Sequence, residues 1–282
     1  MTDTAVLMSG TDVARAITDR TAQRAAEFAE LSGRKPCLAT VLVGDDPASE
    51  TYVRMKRNRS AKAGIESRHV PLPASTITEE LVGVITGLSD DPTVNGILLQ
   101  HPVPSHIDER AAFEAIAPGK DVDGVTMHSF ADMAFDGGGF ASCTPAGIMR
   151  ILDAYDVDPR GKHAVVIGRS PILGKPMGML LLARDATVTY CHSKTTDLPS
   201  IVSTADIVVA AVGKPEFVRG EWIKPGATVI DAGYNEGNVG DVAFDEAAAR
   251  AGLITPVPGG VGPTTIALLL EQTVEAAFQQ RG

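Results

Sequence analysis

The sequence predicts a two-part α/β protein in which parallel strands alternate with helices. Three observations lead there. Short β-branched or leucine-rich runs alternate with helical periodicity along most of the 282 residues. One of these strands runs into a glycine turn and then a helix, the arrangement of a nucleotide site. The Gly-rich stretch DGGGF at 136–140 reads as a flexible connection between two halves. A chain of this length has ample material for two modest cores.

Taken in order, a helix over 9–32 precedes LATVLV at 38–43, an uninterrupted apolar run that suits a strand covered on both faces. Pro47 opens the next helix, over 47–63, since a missing N–H is harmless in a first turn. Tyr52 and Lys56 are four apart on it, so they share a face about one turn from each other. A helix over 78–89 leads to the strand VNGILLQ at 94–100, which ends on Gln100, and KDVDG follows with Asp121 and Asp123. Pro145 begins a helix over 145–155. The second half then offers strands HAVVIG at 163–168, ATVTY at 186–190, DIVVAAV at 206–212 and TVIDAG at 228–233, with a helix over 174–184. A helix over 263–280, opened by Pro263, is expected to cross back to the first half.

Composition narrows the function. Asp and Glu number 35 against 25 Lys and Arg, a net charge of -10, and RMKRNR at 54–59 is the one dense basic run. No basic stripe for nucleic acid is present. Cys37, Cys143 and Cys191 are far apart and show no CxxC or Cys/His spacing, so neither a disulfide framework nor a metal site is expected. MTDTAVLMSG lacks a basic region followed by an apolar core, and no apolar run approaches a membrane span. A reduced, cytoplasmic setting without a membrane partner follows.

The nucleotide pattern is HAVVIGRSPILGKP. Gly168 ends the strand, Ser170 stands where a second glycine is usual, and Gly174 opens the helix, giving G-x-S-x-x-x-G with one extra residue of spacing. The physical need for a tight turn and a helix N-terminus facing phosphate is still met. An NAD site usually carries an acid at the end of the next strand for the ribose 2′-hydroxyl. Here that position offers Cys191, His192, Ser193 and Lys194, and Arg169 is at hand from the glycine turn. Donors without a carboxylate suit the 2′-phosphate of NADP over NAD. Gly213, in the GKP turn, and Tyr234, in AGYN, lie at the carboxyl ends of the next two strands, where open α/β sheets bind ligands.

Taken together, YVRMK, QHPVP, KDVDG, CTPAG, GRSPILGKP and TPVPGGVGPTT resemble the bifunctional methylenetetrahydrofolate dehydrogenase/cyclohydrolase family over nearly the whole chain. The resemblance implies an N-terminal α/β substrate domain, a Rossmann-like parallel-sheet NAD(P) domain and an active-site cleft between them. The corresponding division is 1–142 plus 264–282 for folate and catalysis, and 143–263 for NADP. It implies oxidation of 5,10-methylenetetrahydrofolate to the 5,10-methenyl cation with NADP, or NAD in some members, and hydrolysis to 10-formyltetrahydrofolate. That chemistry belongs to one-carbon metabolism and purine biosynthesis, and a homodimer is the implied assembly.

By position in the family's motifs, Lys56 matches the catalytic lysine, Tyr52 the ring that stacks on folate, Gln100 the amide beside the lysine, and Asp123 the carboxylate that holds the pterin. Each role suits the residue. One carboxylate can accept from a pterin's 2-amino group and N3–H together, and an aromatic face adds about 0.5–1.5 kcal/mol beyond area burial. A partly desolvated lysine can organise water and move protons beside a cationic intermediate. Pro258, Gly259 and Thr265, in and after PVPGGVGP, are implied folate contacts. On residue type alone Asp121 serves as well as Asp123. His101 departs from the leucine common in the family, as a polar variant at the cleft rim or a source of altered pH dependence. Two other readings compete: a dehydrogenase of the shikimate or amino-acid kind, and a non-catalytic nucleotide or folate sensor.

Overall fold

The structure, a computed structural model, describes residues 5–44, 47–135 and 137–281, the side chains of 47–53 excepted. Along the chain the elements are β1 (Val6–Leu7), α1 (Gly10–Ser32), β2 (Cys37–Val43), α2 (Pro47–Lys62), β3 (Glu66–Leu72), α3 (Thr78–Asp90), β4 (Gly96–Leu99), α4 (Glu109–Glu114), α5 (Met127–Ala134), α6 (Cys143–Ala154), β5 (His163–Ile167), α7 (Gly174–Ala183), β6 (Thr187–Cys191), α8 (Leu198–Val202), β7 (Ile207–Ala210), β8 (Thr228–Asp231), α9 (Phe244–Ala248), β9 (Leu253–Ile254) and α10 (Val261–Gln279). They fall into two compact units. One holds Ala16–Ala141 and the chain from Ile266 onward; the other holds Ser142–Thr265 and the chain up to Arg15.

The first unit is built on a three-stranded parallel sheet in the order β3-β2-β4. Every residue of β2 is buried, which is why its sequence is an unbroken apolar run. The edge strand β3, ESRHVPL, is not apparent in the sequence because of its charges and Pro71. Both are tolerated at an edge, where one row of backbone groups needs no ladder partner. The C-terminal segment is fastened to this unit through Asn95. This fully buried side chain accepts from the Cys37 N–H at 3.0 Å and Arg34 Nη1 at 3.1 Å, and donates to Gln280 Oε1 at 3.0 Å. Gln280 Nε2 returns to the carbonyls of Asn95 at 2.9 Å and Gly119 at 2.7 Å.

The second unit carries a six-stranded parallel sheet ordered β1-β9-β8-β7-β5-β6. Alternate strand residues feed a core on each face. Val165, Ile167, Val208, Ala210 and Val229 pack on one side, and Ala164, Val166, Ile207, Val209 and Ile230 on the other. From β5 onward the order is second, first, third, fourth, fifth, a doubly wound, Rossmann-like arrangement whose switch point lies between β5 and β7.

One expectation is corrected. The segment before Arg15 belongs to the second unit rather than the first. β1 pairs in parallel with β9, Met8 is buried in the β5/β7 core, and a Cβ on Gly10 would stand 1.7 Å from the Gly260 carbonyl oxygen. Two exposed residues of strand give a sequence no signal for this. The glycine run lies beside Asp132: Cβ atoms on Gly137 and Gly139 would lie 2.9 and 2.6 Å from its carboxylate, Gly138 is exposed with open space around it, and the division falls just beyond the run, between Ala141 and Ser142.

Asn95→Ala strips a buried N–H and the C-terminal segment of their partner. Urea unfolding is expected to show a loss of about 3 kcal/mol. A loss below about 1 kcal/mol would mean that water replaces the amide at little cost.

Candidate functional site

In the first unit, α2 and the end of β4 bring Lys56 and Gln100 together. Lys56 Nζ donates to Gln100 Oε1 at 2.9 Å, and Gln100 Nε2 donates to the His101 carbonyl at 2.8 Å. The second bond settles which way the amide faces, so its oxygen is turned to the amine. The Gln100 backbone is anchored by its N–H to the Val41 carbonyl at 2.9 Å, one last rung beyond β4. The His101 ring is half-buried and meets Phe113 edge-on, with centroids 6.4 Å apart. Tyr52 belongs to α2, but its side chain lies outside the described residues.

The KDVDG loop is fixed from two sides. Asp121 is fully buried and accepts from the N–H groups of Val125 at 3.1 Å and Thr126 at 2.9 Å and from Ser129 Oγ at 2.6 Å. Both of its oxygens are therefore committed inside the fold. Gln272, from α10, donates to the carbonyls of Val122 at 2.8 Å and Ala141 at 3.0 Å. Between these anchors Asp123 is only half-buried.

In the second unit the predicted residues gather at the carboxyl edge of the sheet. Gly168 leaves β5 with φ +132°, and a Cβ there would stand 2.2 Å from the Ala211 carbonyl oxygen, so only glycine lets the two turns touch. This meeting falls at the switch point, the place where a doubly wound sheet receives a nucleotide. Ser170 Oγ accepts from the Gly174 N–H at 3.2 Å, capping α7 while keeping its own O–H to donate. Arg169 and Ser193 are exposed. The turn after β6 is closed by the His192 N–H on Thr195 Oγ1 at 2.8 Å and the Lys194 N–H on His192 Nδ1 at 3.1 Å. Tyr234 is 57 % exposed, and its hydroxyl donates to Asn238 Oδ1 at 2.6 Å.

Gly213 has φ +63°, yet its N–H is given to Asp241 Oδ2 at 2.9 Å and is not available to a ligand. The PVPGGVGP loop belongs to this unit as well. Pro258 is exposed, Gly259 has φ +100° and accepts from the Thr11 N–H at 3.1 Å, and Thr265 Oγ1 donates to Thr144 Oγ1 at 3.1 Å.

Sequence reasoning missed Asp231 and Asp241, which are 2 % and 0 % exposed. Asp241, beside Gly240, reads as a solvated turn residue, and Asp231, within a predicted strand, carries no local sign that its carboxyl anchors the following loops. Asp231 accepts from the N–H groups of Gly233, Asp241 and Val242, each at 2.9 Å. Burial pushes its carboxyl from the ordinary 3.8 up to about 6, against those donors and with help from the charge of Asp241. Among the described residues no group of three or more His, Cys, Asp or Glu side chains could hold a metal ion, and no helix is long and apolar enough to cross a membrane.

A doubly wound sheet with a glycine-lined switch point, together with a unit carrying a lysine bonded to a glutamine, defines a two-unit α/β enzyme of the dinucleotide-binding class. Residues 8–123 match the catalytic domain of tetrahydrofolate dehydrogenase/cyclohydrolase, and residues 142–281 match its NAD(P)-binding domain. The chain belongs to the tetrahydrofolate dehydrogenase/cyclohydrolase family. It is 71% identical over 281 residues to bifunctional protein FolD 1 of Streptomyces avermitilis, covering 100% of this chain and 98% of the relative. Among solved structures it is similar to the bifunctional FolD of Campylobacter jejuni, with 40% identity, TM-score 0.95, and 98% and 99% of the two chains covered. It is also similar to the Trypanosoma brucei enzyme solved with NADP cofactor and inhibitor, with 39% identity, TM-score 0.94, and 98% of each chain covered.

The raised Asp231 carboxyl yields a pH signature. The folded state holds the proton more tightly, so the stability from this group is complete below about pH 4 and lost as pH rises through about 6. That rise corresponds to roughly 3 kcal/mol. Relative to the parent, Asp231→Asn is therefore expected to gain roughly 3 kcal/mol in urea unfolding between about pH 4 and about pH 7.5. A constant difference across that range would show that Asp231 titrates as an ordinary carboxylate.

Proposed function

We propose that this protein oxidises 5,10-methylenetetrahydrofolate to 5,10-methenyltetrahydrofolate with NADP and hydrolyses the product to 10-formyltetrahydrofolate. The observation that carries the reading is the Lys56–Gln100 hydrogen bond, in a chain that contains both domains of the family. NADP, when bound, accepts the hydride. The residues fit that group: Gly168 provides a turn that any side chain would fill, Ser170 keeps a donor, and Arg169 and Ser193 are exposed at strand ends that carry no acid. A 2′-phosphate suits that set better than a bare ribose, so NADP is preferred to NAD.

Hydride loss needs alignment more than a proton acceptor. Tyr52 stacks on the folate ring and Asp123 accepts from the pterin's 2-amino group and N3–H, which fixes the reacting carbon. Asp121 is excluded from that role by its commitments to Val125, Thr126 and Ser129. Pro258, Gly259 and Thr265 complete the folate contacts, with Tyr234 and the Gly213 turn on the cofactor side. In hydrolysis, water adds to the methenyl carbon and gives up a proton. The ring then opens by cleavage of one C–N bond, leaving the formyl group on the other nitrogen. Lys56, oriented by Gln100, positions that water and carries the proton. An ammonium beside the methenyl cation would oppose its approach, so the amine works best when not permanently charged.

The assembly is taken to be a homodimer, as the family likeness suggests. The setting is taken to be the cytoplasm, in keeping with three buried free cysteines.

A spectrophotometric assay with methylenetetrahydrofolate and each cofactor tests the reading. Reduced NADP is expected to appear together with methenyl absorbance that then decays, and NAD to support a slower reaction. Lys56→Met is expected to lower cyclohydrolase turnover by about 100-fold or more and dehydrogenase turnover by much less. Tyr52→Ala is expected to weaken both activities. Full cyclohydrolase turnover in Lys56→Met would remove the lysine from that step, and folate binding without turnover in the parent would favour a sensor.

A further inference from the structure

We propose that Asp241 is a positioning residue for the dinucleotide, holding the 212–214 turn at the switch point from beneath. The inference rests on the reading of this unit as the NADP site. Its carboxylate takes three consecutive main-chain N–H groups: Val212 at 2.6 Å and Gly213 at 2.9 Å on Oδ2, and Lys214 at 2.9 Å on Oδ1. Asn235 Nδ2 adds a fourth donor on Oδ1 at 3.1 Å. Successive backbone amides converging in this way form a concave nest that commonly receives an anion. Here the anion is part of the protein, so the nest is filled from the inside. The amides face inward, and the outer face of the turn is left to shape and carbonyl oxygens.

That turn is one wall of the cradle. A Cβ on Gly168 would strike the carbonyl oxygen of Ala211, the residue just before Val212. Any shift of 212–214 therefore alters the space in which the Gly168 turn sits. Asp241 cannot drift either. Its own N–H is held by Asp231 Oδ1 at 2.9 Å, and the Asp231 N–H is held by Thr255 Oγ1 at 2.8 Å. A Cβ on Gly233 would lie 2.2 Å from the Asp241 carboxyl carbon, and one on Gly240 would lie 1.9 Å from Asp231 Oδ2. The two glycines are required because the two carboxylates occupy the space their side chains would take. Strands β7, β8 and β9 are thus tied at their carboxyl ends into one rigid wall beside the crevice.

Asp241→Asn keeps the shape but loses acceptor capacity for the turn. Steady-state dehydrogenase kinetics with NADP are expected to show KM raised about tenfold, with kcat changed less than about twofold and cyclohydrolase turnover changed less than KM. Asn235→Ala, which removes one donor and leaves the carboxylate, is expected to raise KM about threefold. Rescue separates positioning from bulk stability: adding NADP to saturation should restore Asp241→Asn turnover, whereas general unfolding would lower both activities together at every concentration. Unchanged KM in folded Asp241→Asn, or equal loss of both activities, overturns the proposal. If that variant does not fold, unchanged KM in Asn235→Ala overturns it. Failure of the parent enzyme to reduce NADP would instead defeat the functional reading itself.

Discussion

The carboxyl edge of the larger sheet depends on two aspartates buried beneath it. A parallel sheet leaves the last carbonyls and the following amides of its strands without ladder partners, and loops at that edge must satisfy them or lose them to water. Asp231 and Asp241 do so with acceptors that reach several amides at once. The local sequence follows from that choice. Gly213, Gly233 and Gly240 are small or left-handed because the carboxylates and the turns they close leave no alternative. The turns after β5 and β7 are therefore fixed against each other, with Gly168 packed on the Ala211 carbonyl.

The smaller sheet solves the same problem with different groups. Asp121 closes the start of α5 by accepting from Val125, Thr126 and Ser129, and Gln272 reaches from α10 to hold the carbonyls on either side of the loop. Asn95 and Gln280 do the equivalent where β2 begins. In each case a buried polar side chain fixes a loop whose neighbouring residue is more exposed: Asp121 beside Asp123, and Asp241 beside Gly213 and Lys214. Rigid loops around accessible groups are what alignment-limited chemistry requires.

How much of this was legible follows from what each element depends on. β2, β4, β5, β7 and β8 are buried apolar runs and declare themselves. β1 and β9 are two residues each, too short for periodicity, and β3 is an edge strand in which charge and proline are permitted. The short helices α4, α8 and α9 offer less than two turns of pattern. Among the proposed site residues, the Tyr52–Lys56 spacing and the glycine turn after β5 are local and visible in the sequence. The Lys56–Gln100 bond joins residues 44 apart, so it needs the packing of α2 on the sheet. The buried aspartates were illegible because Asp241 sits in a motif that serves a solvated turn and a buried anchor alike, and Asp231 at a strand end where either use is open. What separates the two uses is burial, which is set by contacts distant in sequence.

The two units also differ in what their polar centres can be asked to do. Asp241 is saturated by four donors and is fully shielded from solvent, so it can hold geometry but has no capacity left for a reactant. Lys56 is half-buried, and its amine donates to Gln100 Oε1. The Gln100 amide is itself locked by the His101 carbonyl, so it holds the amine in place without adding the negative charge of a carboxylate. A carboxylate in that position would keep the lysine charged, the state least suited to work beside a cation. In the proposed hydrolysis, the choice of an amide over an acid at position 100 follows from the same electrostatics that lets an acid at 241 hold its turn. Where only N–H donors must be held, as at Asp241, a negative charge strengthens every bond; where a proton must move, as proposed for Lys56, it would fix the proton in place.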